Sequence, residues 1–170
     1  MSDHIIDIVD DQDVVIGNAT KQEAQEKGLR HRVVRITLED PAGNILLQKR
    51  RDDKELYPGC WDTAAAGHVD ADEDYLAAAE RELYEELGVV TRLEQIKYYT
   101  SNGSYDWRKL NRFTVLYRGT IPAETTLTLR EDEVADVRWI SRTELGSFIQ
   151  NNPDQIADGL LETYEFLYKT

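Results

Sequence analysis

The segment from Gly67 to Val89 reads Gly-His-Val-Asp-Ala-Asp-Glu-Asp-Tyr-Leu-Ala-Ala-Ala-Glu-Arg-Glu-Leu-Tyr-Glu-Glu-Leu-Gly-Val. Its second half has the apolar periodicity of a helix, which we expect to run from Tyr75 to Leu87 and to end at Gly88, a typical helix-terminating residue. At about 100° per residue, one stripe of this helix should face the core. The predicted stripe consists of Leu76, Ala79, Leu83 and Leu87.

Three glutamates of the same helix lie on a different face, because Glu82, Glu85 and Glu86 are spaced three and four residues apart. Carboxylates at this spacing repel one another and destabilise a helix unless a cation compensates them. Arg81 is the only nearby cation in the sequence. Mg²⁺ binds through a few carboxylates together with substrate phosphates, so the pattern favours a metal site. A solvated acidic surface is the alternative interpretation of the three glutamates alone.

The wider spacing resembles the Nudix box of the Nudix hydrolases, Gly-x5-Glu-x7-Arg-Glu-U-x-Glu-Glu-x-Gly-U, in which U is a bulky aliphatic residue. Matches at so many fixed positions are far more specific than a short glycine motif. The resemblance implies a hydrolase that cleaves the pyrophosphate bond of a nucleoside diphosphate linked to a group X, by attack of water on phosphorus, with Mg²⁺ or Mn²⁺ as cofactor. The residues that fill the fixed positions are Gly67, Glu73, Arg81, Glu82, Leu83, Glu85, Glu86, Gly88 and Val89.

The same resemblance implies a set of metal ligands. Glu85 and Glu86 would be the principal ligands, and Glu82 would be either a ligand or the base that activates the water. The carbonyl of Ala66, the residue before the motif glycine, would be a further ligand. The metal would neutralise charge on the phosphate oxygens and lower the pKa of a bound water.

Three other acidic residues receive roles from the resemblance. Glu73 is expected to pair with Arg81 and to tie the loop of the box to its helix. An additional catalytic acid should come from a loop beyond the sheet. Glu133, six residues before Trp139, is the candidate for it, and Glu131 is the second choice. A solvated loop charge remains the alternative for both.

Residues for substrate binding are expected on either side of the box. Arg50 and Arg51 end the strand that precedes it, and an arginine fork suits a phosphate group. Tyr105 and Trp107 lie in a segment predicted as a flexible loop over residues 100–109, from which an aromatic ring can stack on a base. Solvated charges and packed aromatic rings are the respective alternatives.

Three short segments resemble the isopentenyl-diphosphate isomerase branch of the Nudix superfamily, at residues 49–51, 57–61 and 66–68. The isomerase has a catalytic cysteine directly before its Gly-His pair, and this chain has Ala66 there. The one cysteine, Cys60, lies six residues earlier and is expected to be packed and inert. The missing thiol argues against an isomerase, and the complete box argues against a non-catalytic nucleotide-binding Nudix domain. Both are kept as alternatives to the hydrolase.

The isomerase also binds a metal through histidines and glutamates, and this set is incomplete here. His31 and His68 match two of its histidines, but because the other ligands are missing we expect both to be hydrogen-bonded structural residues rather than metal ligands. The residues found where its remaining ligands should stand are Ala24, Leu110 and Arg112.

The composition bounds the class of protein. The 170 residues contain 20 Lys and Arg against 33 Asp and Glu, a formal net charge of -13. This charge argues against nucleic acid or an anionic membrane as the main partner, and leaves a small phosphorylated substrate that arrives with a metal. We expect a cytoplasmic protein with a single Nudix hydrolase domain over residues 1–170, divided into an N-terminal extension (1–30) and a core (31–170). A homodimer is possible, since Nudix enzymes are often dimers.

The order of elements predicts an α+β fold, a mixed α/β/α sandwich with an N-terminal hairpin. Helices are expected at residues 21–27, 75–87, 143–150 and 155–168. Extended segments are expected at residues 5–9, 14–17, 31–38, 45–50, 61–69, 93–100, 111–119 and 137–140.

Overall fold

The computed structural model describes residues 4–169, which form a seven-stranded mixed sheet and a separate two-stranded sheet. The predicted α/β/α sandwich with an N-terminal hairpin is confirmed. The strands are β1 (Ile5–Val9), β2 (Val15–Thr20), β3 (His31–Glu39), β4 (Ile45–Arg50), β5 (Trp61–Asp62), β6 (Ala65–His68), β7 (Glu94–Tyr105), β8 (Arg108–Thr120) and β9 (Val134–Ile140). The α-helices are α1 (Lys21–Lys27), α2 (Tyr75–Leu87), α3 (Arg142–Asn151) and α4 (Asp158–Thr163).

The large sheet has the order β5-β4-β3-β8-β7, with β6 also paired to β3 and β9 also paired to β4. Only β3 and β8 run parallel, from His31 opposite Arg112 to Glu39 opposite Thr120. All other pairs are antiparallel. Because β6 pairs with β3 directly before the box helix, the sheet fixes where the loop of the box starts.

Helices bury apolar side chains against both faces of the sheet. Alternate residues of β3 point to opposite faces, so that Val34, Ile36 and Leu38 pack against α2. The members of this core from α2 are Ala78, Ala79, Leu83 and Leu87. The second core, under α3 and α4, contains Ile45, Leu47, Trp61, Ile140, Leu145, Ile149, Leu160 and Tyr168.

The N-terminal hairpin packs beside the loop of the Nudix box. β1 and β2 pair antiparallel and, with α1, bury a small core of their own. The backbone N–H of Ala71 donates to the carbonyl of Ile5 at 3.0 Å, and the N–H of Asp72 donates to the Asp7 carboxylate at 3.2 Å. The hairpin therefore helps to set the path of the chain just before α2.

The predicted apolar stripe of α2 is wrong at one position. Leu76 is 42% exposed, whereas the other three predicted residues are buried. Leu76 lies in the first turn, where Tyr75 rather than Leu76 packs against the core. Ala78 completes the buried face.

The predicted flexible loop at residues 100–109 is also wrong. β7 and β8 continue through this segment and pair as far as Tyr105 opposite Arg108. Only Asp106 and Trp107 form the turn, and Asp106 adopts a left-handed φ of 55°. Asparagine and glycine suggested a loop from sequence, but the long antiparallel ladder accommodates Asn102 and Gly103.

The C-terminal helix predicted at 155–168 is divided into three parts. A 3₁₀ turn at Pro153–Gln155 precedes α4, and a π-helix follows at Tyr164–Tyr168. Ile156 lies between the first two parts in an extended conformation, because it bridges to Trp61. Within residues 4–169, no helix is both long and apolar enough to cross a bilayer.

Candidate active site

Both ends of the box helix α2 are fixed by capping contacts. The Asp74 carboxylate accepts a hydrogen bond from a first-turn N–H at 2.8 Å, as an N-cap does. Gly88 ends the helix with a left-handed φ of 68°, a conformation that glycine adopts without strain. The carbonyl of Glu86 accepts from the backbone N–H of Arg130 at 2.9 Å. The glutamates of α2 therefore project from a rigid element.

Arg81 joins the loop of the box to the helix. Its guanidinium donates to both oxygens of Glu73, at 2.8 and 2.9 Å, and to Glu82 at 2.7 Å. It also donates to the carbonyl of His68 at 3.1 Å and lies 3.5 Å from Glu85. Burial would raise the pKa of Glu73, but the bonds from Arg81 hold it below its usual range. The structure thus brings Glu73 and Arg81 together in an ion pair with two hydrogen bonds.

Gly67 allows a close contact between β6 and the helix. A Cβ atom at this position would overlap the Glu82 carboxyl group, which therefore lies directly against the strand backbone. Glycine is needed here for close approach rather than for its backbone angles. Ala66 precedes it on β6, opposite Arg35 of β3.

Glu86 is the most buried carboxylate of the box. Its side chain accepts a hydrogen bond from the amide of Gln48 on β4, which also donates to the carbonyl of Ala64 at 3.0 Å. Burial and the neighbouring carboxylates of Glu82 and Glu133 raise the pKa of Glu86 well above its usual range. An ionised carboxylate buried in this position is unfavourable unless a positive charge lies nearby.

Glu82 shows the same shift, since burial raises its pKa to about 7 against the opposing charge of Arg81. Glu86 is buried, Glu82 is largely buried, and the charge of Glu82 helps to raise the pKa of Glu86. Such carboxylates form a donor set suited to a hard divalent cation, because the ion would compensate both charges. Glu82 and Glu86 thus fit the metal that the box implies.

Glu133 approaches the box from the loop that precedes β9. Its charge contributes to the raised pKa of Glu86, and its carboxylate forms an ion pair with Lys54 at 2.7 Å. The side chain of Glu131 is exposed, and its backbone carbonyl accepts from Arg51 at 2.8 Å. The placement favours Glu133 over Glu131 as the additional acid.

Glu85 is more exposed than the other two helix carboxylates and lies between two arginines. Arg81 is 3.5 Å away and Arg130 is 3.4 Å away. Throughout residues 4–169, no three His, Cys, Asp or Glu side chains stand together in a ready-made metal-binding group. The acids of the box are held by arginine, lysine and glutamine instead.

Positive side chains from three segments lie near Glu133. Burial lowers the pKa of Lys21 at the start of α1, and the charges of Lys54 and Arg50 lower it further. Arg50 donates to the carbonyl of Leu56 at 2.8 Å, and its guanidinium lies 3.9 Å from the carboxylate of Asp62. Arg51, in contrast, points to Asp53 and the 131 carbonyl.

Tyr105 and Trp107 lie at the end of the β7–β8 hairpin and not on a mobile loop. The Tyr105 ring packs on Tyr57, with ring centres 4.7 Å apart. Trp107 is 46% exposed and lies under the guanidinium of Arg108, 4.3 Å from its ring centre. Arg108 also pairs with Glu55 at 2.8 Å, so the hairpin end is joined to the segment that carries Lys54.

The two histidines predicted as structural are stacked on the face of the sheet opposite α2. The rings of His31 and His68 are 5.2 Å apart. His31 Nδ1 bonds the carbonyl of Leu29 at 2.9 Å, whereas its buried Nε2 has no protein partner within the described residues. Burial lowers the pKa of His31 to about 4, so the ring is neutral. Cys60 is buried, with burial raising its pKa.

Comparison with known proteins places the chain in a family. The NUDIX domain profile matches residues 29–162, most of the chain. The chain therefore belongs to the Nudix family, and it is a hydrolase that acts on pyrophosphate bonds. Nudix hydrolases generally require divalent metal ions and bind small phosphorylated substrates.

Two relatives show the range of the sequence similarity. The uncharacterized Nudix hydrolase YfcD of Escherichia coli (strain K12) is 35% identical over 143 residues, which cover 82% of this chain and 75% of YfcD. Isopentenyl-diphosphate Delta-isomerase 2 of Photorhabdus laumondii is 33% identical over 153 residues, covering 89% of this chain and 85% of that protein. Both similarities agree with a Nudix protein related to the isomerase branch.

Solved structures confirm the fold. DR0079 from Deinococcus radiodurans superposes with a TM-score of 0.81 at 22% identity, covering 97% of this chain and 99% of that one. The NUDIX domain of Shewanella oneidensis NrtR, solved with ADP ribose, gives a TM-score of 0.62 at 21% identity, covering 86% and 96%.

Sequence reasoning missed four side chains around the box: Gln48, Lys54, Lys21 and Arg130. The sequence carries a signal for the first two. Gln48 is a polar residue in an apolar strand, and Lys54 lies shortly after Arg50 and Arg51. Lys21 and Arg130 are brought to the box only by the fold, and no local pattern indicates them.

Proposed function

We propose that this protein is a metal-dependent pyrophosphohydrolase that cleaves a nucleoside diphosphate linked to a group X. The observation that carries the proposal is the pair of buried carboxylates, Glu82 and Glu86, on a helix anchored at both ends. Mg²⁺ or Mn²⁺ would bind to these two residues and to Glu85, with the carbonyl of Ala66 and the side chain of Glu133 as further ligands. Hard oxygen donors of this kind suit either ion.

The protein residues contribute positioning and proton transfer. When bound, the metal supplies charge neutralisation and a more acidic water. Where Glu82 serves as the base instead of as a ligand, its raised pKa of about 7 suits it to take a proton from the attacking water near neutral pH. Glu133 is the second candidate for this base. The ion pair of Arg81 and Glu73 fixes the loop of the box relative to α2, so that the reacting groups keep one geometry.

The substrate phosphates would lie beside Lys21, Arg50 and Lys54. These cations are supplied by α1, β4 and the following loop. Their mutual repulsion is only partly offset by Glu55 and Glu133, and a substrate anion would relieve more of it. Tyr105 and Trp107 lie at the border of this region. The Tyr105 ring packs on Tyr57, and Arg108, the neighbour of Trp107, pairs with Glu55. An aromatic base or a sugar of the group X can contact the Tyr105 and Trp107 rings there.

The test is a phosphate-release screen with Mg²⁺ and Mn²⁺ over nucleoside di- and triphosphates, nucleotide sugars, dinucleotides and isopentenyl diphosphate. Glu86→Gln should lose at least about a hundredfold in kcat, since a buried ligand is removed. Glu80→Gln is the matched control, because Glu80 is an exposed glutamate of the same helix. A Glu86→Gln enzyme with wild-type turnover would refute the ligand assignment.

An isomerase of isoprenoid diphosphates is the second candidate, favoured by the similarity to the Photorhabdus protein. Against it, Ala66 offers no thiol. Cys60 is buried, and its thiol donates a hydrogen bond to the carbonyl of Asp154 at 3.7 Å. Isomerisation of isopentenyl diphosphate without phosphate release would support this candidate. Metal or nucleotide binding without any turnover would support a non-catalytic nucleotide-binding domain.

We also propose that the chain works as one Nudix domain, with residues 1–30 extending a core at 31–170. The cytoplasmic location and the homodimer expected from the sequence stay predictions. Cell fractionation and sedimentation analysis would test them.

A further inference from the structure

The ion pair between Lys54 and Glu133 occupies one side of the proposed metal site. The ammonium lies 2.7 Å from the carboxylate, and both side chains are only partly exposed. Glu133 lies near Glu86, because its backbone N–H donates to the carbonyl of Arg130, whose own N–H donates to the carbonyl of Glu86, and its charge contributes to the raised pKa of Glu86. Lys54 is thus a positive charge held close to the place where a divalent cation would sit.

The position of Glu133 does not depend on Lys54. Its backbone N–H donates to the carbonyl of Arg130 at 3.0 Å, and the N–H of Arg130 donates to the carbonyl of Glu86 at 2.9 Å. Arg51 further anchors this loop through the 131 carbonyl at 2.8 Å. Glu133 should therefore stay at the box when its side chain exchanges one cation for another.

Lys54 also lies near two other positively charged side chains, Lys21 and Arg50. Its charge acts on Lys21, which is largely buried and also feels Arg50. The three cations repel one another, and the carboxylates of Glu55 and Glu133 offset part of this repulsion, so pairing with Glu133 is the favourable arrangement for Lys54 in the free protein. A substrate phosphate would reverse this preference, because it can accept from the freed ammonium.

We infer that Lys54 is a resident counter-ion of Glu133 that the metal displaces and that then binds the substrate phosphate. The inference rests on the proposed function, since it needs the metal site. It makes metal and substrate binding cooperative: the metal frees Lys54 for the phosphate, and by linkage the phosphate makes Glu133 available to the metal. It also means that Lys54 weakens metal binding in the absence of substrate.

The test is a titration of the full chain with Mn²⁺ in the absence of substrate, with free Mn²⁺ followed by electron paramagnetic resonance. Lys54→Met should bind Mn²⁺ about two- to fivefold more tightly than wild type, the size expected for loss of one partly exposed ion pair. Lys169→Met is the matched control, because it removes a lysine paired with Glu165 at the other end of the chain. It should leave the affinity unchanged.

A double-mutant cycle separates the pair from general charge effects. Glu133→Gln should weaken Mn²⁺ binding, and Lys54→Met should give no tightening in that background. With the substrate found by the screen, Lys54→Met should raise KM while it tightens Mn²⁺ binding. A positioning role alone would not move these two constants in opposite directions.

The outcomes are distinguishable. If Glu86→Gln binds Mn²⁺ as tightly as wild type, the proposed metal site is wrong and the inference falls with it. If Glu86→Gln loses binding but Lys54→Met shows no tightening, or tightens equally in the Glu133→Gln background, only the inference is overturned. An unchanged KM in Lys54→Met would refute the transfer of Lys54 to the phosphate.

Discussion

Replacement of Arg81 by methionine tests whether the box is held together by one guanidinium. Arg81→Met keeps the length of the side chain and removes every hydrogen bond that Arg81 donates to Glu73 and Glu82, whereas the backbone N–H of Asp70 still donates to Glu73 at 3.0 Å. Both partners are largely buried, with side-chain exposures of 16% and 15%. The variant therefore leaves two carboxylates without their main counter-charge.

The expected loss of unfolding free energy is about 2–3 kcal/mol near pH 8. Removing one partner of a fully buried ion pair costs about 3–5 kcal/mol. The value here should be smaller because Arg81 is 25% exposed, and because the raised pKa of Glu82 lets it take up a proton. Arg92→Met, at an exposed arginine, should change stability by less than about 0.5 kcal/mol.

Urea denaturation followed by circular dichroism would measure the loss. Adding Glu73→Gln to Arg81→Met should recover part of it, because one uncompensated charge is removed. Mn²⁺ should stabilise the variant in proportion to RT ln(1 + [L]/Kd), and it would act on Glu82 but not on Glu73. A loss below about 0.5 kcal/mol, or no recovery in the double variant, would refute the reasoning.

Three further outcomes are expected. Gly67→Ala should lower stability by about 1–3 kcal/mol and weaken Mn²⁺ binding, because its Cβ displaces the Glu82 carboxylate; unchanged metal affinity would contradict this. The raised pKa of Glu82 contributes stability that is lost as pH rises from 4.5 to about 7, whereas the lowered pKa of His31 acts in the opposite sense near pH 6.5, so the stability of metal-free wild type relative to Glu82→Gln should fall by about 1.4 kcal/mol between about pH 6 and pH 8. Urea denaturation of the two proteins should show this difference. Lys21→Met should raise KM at least about tenfold with little change in kcat, because it removes a phosphate contact; steady-state kinetics with equal KM values would argue against that contact.

The sequence predicts the box because its geometry is local. The helix from Tyr75 to Leu87, its end at Gly88 and the bond between Glu73 and Arg81 all lie within one short segment, where spacing determines direction. Leu76 shows the limit of this reasoning. Periodicity assigns a residue to a face of the helix, but it does not tell whether the sheet extends far enough to cover that face.

The remainder of the site depends on contacts between distant segments. Lys21 and Lys54 approach each other through the packing of the hairpin region against the core, and Arg130 reaches Glu85 across 45 residues of sequence. The loop predicted around residues 100–109 became a strand pair for the same reason. Neighbouring strands satisfy backbone groups that local turn propensity cannot account for.

The contacts between the hairpin and the loop of the box bear on how this domain can be divided. A fragment that begins at residue 29 contains the whole segment matched by the family profile. It lacks Lys21, and it lacks the acceptors in Ile5 and Asp7 that hold the backbone of Ala71 and Asp72. Such a fragment would carry every residue of the motif yet lose external support for its loop. Transplantation or truncation of this enzyme should therefore keep the first two strands with the rest of the chain.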